Sequence, residues 1–245
     1  MPLGRDPVRI PVICMDESSL ECAKLFNPNV WSGKSKGIVQ SCWTESSVLN
    51  HCVDQLSKTC GAAENLCAKH TNLISQQWAT AKFDVQKIVI FGQVPDLHMQ
   101  VEAFFSGVKT LLDLLVQLLA SERIVNGAVD GFHRDKNVYG GKVLNALEHN
   151  AVKAKKEIAG QFIVLLSAHK TEWIDQTISA RDGLIHPGES TSQLMFRLGF
   201  IEQEHRLVCT GISPPTIGSE AIDRYAKRIF EQAQVFSSSF LRLLQ

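Results

Sequence analysis

The chain has 245 residues, 44% hydrophobic and 20% charged, with 25 basic side chains balanced by 25 acidic ones. That length fits one large domain, or one with a small appendage, and can bury a core without metals or cross-links. Zero formal net charge speaks against a broad, sequence-blind grip on a nucleic-acid backbone, yet leaves room for one local basic cleft.

Seven cysteines, six of them before residue 70, do not read as a secreted disulfide framework. The N-terminus lacks a basic region followed by a sustained apolar run, so no secretory signal is expected. Reduced thiols and a cytoplasmic location follow as expectations. Residues 1–45, with Pro2, Pro7, Pro11 and Pro28, form a poorly defined N-terminal segment in which Val8 to Met15 is a candidate strand. Gly33-Lys34-Ser35 matches the end of a phosphate loop. The first glycine of that motif would fall at Pro28, with no buried strand before it, so a basic loop is expected instead.

From about Thr44 to Ala81, Leu49, Cys52, Leu56, Cys60, Ala63, Cys67, His70, Ile74 and Gln77-Trp78 recur at helical spacing. Cys52, Cys60 and Cys67 then lie on the apolar seam as packing groups. No Cys-x-x-Cys element supports a metal-thiolate site, and His70 reads as a hydrogen-bonded core histidine. Lys87 to Gly92 is a short strand or a buried linker. Asp96 is placed to cap a core helix from about Leu97 to Glu122. Its most apolar stretch, Thr110 to Ala120, is interrupted by Asp113 and Gln117 and is too short for a bilayer span. No membrane partner is expected.

Gly127, Gly131, Gly140 and Gly141 mark a loop that carries His133, Arg134, Asp135 and Lys136. Solvated surface charge is the first reading there; a phosphate-contacting loop that uses His133 and Arg134 is the second. A helix is expected from about Lys142 to Ser167, with Lys153, Lys155 and Lys156 as the one dense basic cluster. Lys153 and Lys156 are its candidate RNA or phosphate contacts. Thr171 is placed to cap another helix running to about Leu184, with Trp173, Ile174, Thr177, Ile178, Arg181 and Ile185 near one stripe. Leu194–Leu198 and Arg206–Thr210 read as a β-hairpin looping around Phe200 to His205. Gly211 to Pro215 turns the chain, and Ser219 opens the C-terminal amphipathic helix. The fold class is mainly α, with a small β-hairpin before the last helix.

The chemistry concentrates in Arg181-Asp182-Gly183-Leu184-Ile185-His186-Pro187-Gly188. One reading is structural: helices often end in Gly or Pro, with Arg or His near the last carbonyls. The other is catalytic. Arginine presents a planar fork to phosphate oxygens, and histidine exchanges a proton near neutral pH. Asp182 and His186 share a helical face, whereas Arg181 and His186 lie about 140° apart round an ideal helix. The break at Gly183 and Pro187, or a second subunit, has to bring those two together.

Two amphipathic helices, a loop, and a helix bearing Trp173 and then Arg181-Asp182-x-x-x-His186 resemble the HEPN family (higher eukaryotes and prokaryotes nucleotide-binding domain), including a bacterial HEPN-like group. The resemblance spans roughly residues 45 to 245. It implies a helical bundle over 46–245 that pairs as a homodimer and serves as a metal-independent endoribonuclease of toxin or defence type. Arg181, Asp182 and His186 would be its centre, RNA its substrate and an antitoxin a partner, with no metal or cofactor. The alternative is a non-catalytic dimerisation or nucleotide-binding module.

Overall fold

A computed structural model describes residues 30–31, 33–78, 87–136, 138–185, 194–204 and 206–245. The candidate strand Val8 to Met15, His186, Pro187 and His205 lie outside these residues.

Helix α1 (Gly33–Trp78) starts well before Thr44 and takes in the Gly33-Lys34-Ser35 triplet as its first turn. Cys42, Leu49, Leu56 and Ala63, with Val39, Cys60 and Cys67, recur at spacings of three, four and seven residues and are all buried. Burial pushes the Cys42 and Cys60 thiols up to about 12, so both are uncharged packing groups. His70 is exposed, and Thr71 takes the inward place. The helix phase places the seam one residue later than expected there.

After β1 (Lys87–Gln93), helix α2 (Pro95–Ser121) runs antiparallel to α1. Ser35 and Ser121 share a hydroxyl hydrogen bond of 2.7 Å at one end. Near the middle, a Cβ on Gly107 would meet Glu45 Oε1 at 2.8 Å and Leu49 Cδ2 at 2.9 Å, so a larger residue would have to displace both side-chain ends. Val94, not Asp96, occupies the cap position of α2, without a side-chain bond; Asp96 lies in the first turn, where its charge suits the helix dipole. By length and apolar composition α2 could cross a membrane, but 56% of its apolar window is buried inside the protein.

The expected helix from Lys142 to Ser167 is divided. Helix α3 (Gly141–His149) ends where Ala151 bridges Val125, and Val152 N–H donates to the Ile124 carbonyl at 2.9 Å. Helix α4 (Lys156–His169) then continues without a break through a π-helical turn at Lys170–Ile174 into α5 (Asp175–Ile185). Thr171 therefore caps nothing. Its hydroxyl donates back to the Ser167 carbonyl at 3.2 Å.

Strands β2 (Met195–Gln203) and β3 (Arg206–Ser213) form the hairpin, tighter than expected, with Glu204 at φ 51° in the turn. β1 joins it to make an antiparallel sheet in the order β1-β2-β3, pairing Ile88 with Phe200 and Ile90 with Leu198. Phe196, Leu198 and Phe200 alternate inward. A two-residue pair, β4 (Thr216–Ile217) and β5 (Glu220–Ala221), leads into α6 (Ile222–Arg242). Buried Tyr225, Ile229, Ala233, Phe236 and Phe240 of α6 form its inner face. Phe240 lies 4.6 Å from Phe162 of α4, and Tyr225 6.0 Å from Phe105 of α2. The molecule is mainly helical, with a small antiparallel sheet before the last helix.

Candidate functional site

Helix α5 carries Arg181 and Asp182 to its C-terminal end. Trp173, Ile174, Thr177 and Ile178 are buried along its stripe, and the Thr177 hydroxyl lies 3.3 Å from the Tyr225 hydroxyl of α6. Arg181 continues that stripe with a side chain only 26% exposed. A cation in that position needs a partner. Asp182 supplies one: Arg181 Nη1 donates to Asp182 Oδ1 at 3.0 Å.

The loop before α3 reaches the same carboxylate. Its course is fixed on α2 by two bonds. Phe132 N–H donates to Asp113 Oδ1 at 2.6 Å, and Gln117 Nε2 donates to the Asp130 carbonyl at 3.0 Å. Lys109 also pairs with Asp113. Phe132 is buried under Gly140, which sits at φ 67°. Farther on, Asp135 and Val138 exchange backbone bonds of 3.0 and 2.8 Å, which sets Arg134 and Tyr139 opposite each other.

Arg134 Cζ lies 3.9 Å from the centroid of the Tyr139 ring, and its Nη2 also donates to the Tyr139 hydroxyl. That hydroxyl donates to Asp182 Oδ2 at 3.2 Å, and Arg134 Nη2 stands 3.5 Å from the same oxygen. Two arginines from distant parts of the chain thus converge on one aspartate, leaving an excess of one positive charge. The Arg181 Nε–H is buried with no partner among the described residues. Such an orphan donor calls for an explanation, and an ion or ligand is one.

The structure thus brings Arg181, Asp182 and Arg134 together. His186 lies outside the described residues. His133 is next to Arg134 in sequence but turns to Asp130, with Nε2 3.7 Å from Oδ1. Lys153 and Lys156 do not join the centre within one chain. Both are exposed at the start of α4, and Lys156 is separated from Arg181 by about 35 Å of continuous helix, at roughly 1.5 Å per residue. Their neighbour Lys155 has a structural task, donating to the Glu122 carbonyl just past α2 at 2.8 Å.

Tyr139 is the member that sequence reasoning did not select. Its only local signal is the Asp135-Lys136-Asn137 composition, which favours a tight turn. Among the described residues no three His, Cys, Asp or Glu side chains converge as a metal cradle. Compared with known proteins, the chain matches no family model, no curated protein and no solved structure.

Proposed function

We propose that the Arg134–Arg181–Asp182 end of the molecule binds an RNA phosphodiester, and that the protein is a metal-independent endoribonuclease of HEPN type acting as a homodimer in the cytoplasm. The observation that carries this reading is the convergence of two guanidinium groups on one carboxylate, with a buried Arg181 donor left over. Guanidinium forks suit the non-bridging oxygens of a phosphate, and their charge gains value as negative charge builds in the transition state. RNA brings its own nucleophile. The 2′-hydroxyl attacks the adjacent phosphorus, the 5′-oxygen leaves, and a 2′,3′-cyclic phosphate remains. His186 is the group in the motif suited to take or deliver a proton near neutral pH.

Asp182 has a task of its own among the described residues. Its two oxygens accept from Arg181 and Tyr139, and Arg134 stands beside the second, so it aligns the two arginines. The same observation favours a second reading, in which Asp182 clamps the 127–140 loop onto α5 and the protein is a non-catalytic binding module.

Cleavage of single-stranded RNA in EDTA, by wild type and by His186→Ala, separates the two. The ribonuclease reading expects products with cyclic phosphate ends from the wild type and a loss of 100-fold or more in the variant, on the scale of general acid–base catalysis. A folded wild type that binds RNA without cutting it supports the module; one that neither binds nor cuts overturns both.

A further inference from the structure

We propose that Arg134 and Tyr139 form a shelf for an unpaired nucleobase beside the Arg181 phosphate grip, so that the ligand is a single-stranded segment. The inference rests on the reading of this site as a phosphodiester site and specifies what lies next to the phosphate. The Asp135–Val138 bridge sets Arg134 opposite Tyr139, with the guanidinium carbon 3.9 Å from the ring centroid and Nη2 donating to the ring hydroxyl. The Arg134 side chain is 51% exposed, so the group is reachable from solvent.

A base stacks on a guanidinium plane as it does on an aromatic ring, and it must be unpaired to do so. The cation–π contact beneath keeps that plane in place. Both members are also tied to Asp182, which holds Arg181 as well. Shelf and phosphate grip are therefore one unit, built around a single carboxylate. A base paired inside a duplex offers only its edge to such a shelf, so a double strand engages the arginines through charge alone.

The test measures the affinity of three uncleavable 2′-O-methyl probes: a single strand, the same strand with abasic sites throughout, and the duplex. All carry the same backbone charge per strand. Wild type is expected to bind the based single strand on the order of tenfold more tightly than the abasic one, from stacking alone. Arg134→Lys keeps the charge and loses the plane, so it should bind both single strands equally, at the abasic level. Arg181→Gln should weaken both in the same proportion.

Equal binding of based and abasic strands by wild type, with both weakened by Arg181→Gln, would overturn the shelf and leave the phosphate site standing. Preference for the duplex would also overturn it. No binding of any probe by a folded protein would overturn both the shelf and the site. A retained melting temperature for Arg134→Lys separates a lost shelf from a lost fold.

Discussion

Asp182 explains why Arg181 can end an apolar stripe. A half-buried guanidinium without a counter-charge is costly, and the adjacent carboxylate offsets that cost while also drawing in Arg134 through Tyr139. The pair Arg181-Asp182 was legible from sequence because the two lie on one helix end. Arg134 was visible only as a loop charge. Tyr139 was not visible at all as a partner, because its contact with Asp182 spans 43 positions and depends on a turn that local patterns do not specify. The glycine at 140 sets that loop in place. A Cβ there would overlap the Phe132 ring, and the backbone sits at φ 67°. Gly140→Ala should therefore destabilise the protein by about 2–4 kcal/mol, combining left-handed strain with overpacking. Urea unfolding checks this, and a change below about 0.5 kcal/mol, the range of an ordinary surface substitution, would contradict it.

At the scale of elements, helix existence was readable and helix boundaries were not. The stretch Glu148 to Lys153 carries only Asn150 as a helix-ending residue, yet the chain breaks there because Ala151 finds a tertiary partner in Val125. Thr171 carries a capping residue type, yet the chain runs on through a π turn. That turn presents His169 and Trp173 together to α6: His169 lies 5.2 Å from Phe236, and Trp173 6.2 Å from it. Trp173 Nε1–H donates to His169 Nδ1 at 3.0 Å, a bond that requires that nitrogen to be unprotonated.

Burial lowers the His169 pKa below its ordinary value, with the nearby Glu172 carboxylate opposing the shift. The sign of the pH effect follows. Above about pH 6.5 neither state binds the proton, whereas below it the unfolded chain takes one up more readily than the folded protein. Stability should fall as pH drops through 6.5 and level off below the folded pKa. Melting curves from pH 7.5 to 5.5 should show this loss, and His169→Gln should flatten it. An equal slope in both proteins would contradict the assignment.

At the scale of the whole molecule, charge balance and a local cationic site coexist without conflict. The 25 acidic residues cancel the 25 basic ones in sum, while Arg134 and Arg181 share a single aspartate at one end. Composition limits how far a basic surface extends, not where two arginines meet. The mainly helical architecture and the hairpin were legible because their periodicities differ. The third strand was not, because β1 is separated in sequence from β2 by the four helices α2 to α5 and its apolar run is as compatible with a linker.

A phosphodiester site at this end of the molecule requires Arg181 to meet a phosphate. The affinity of an uncleavable single-stranded RNA, measured across a range of salt concentrations for wild type and Arg181→Gln, tests that most directly. Each phosphate contact on a single strand contributes about 0.7 to the slope of log affinity against log salt. Arg181→Gln should bind more weakly at low salt, with a slope smaller by roughly that amount. An unchanged affinity and slope, in a variant that remains folded, would contradict it and reduce the cluster to a clamp between loop and helix.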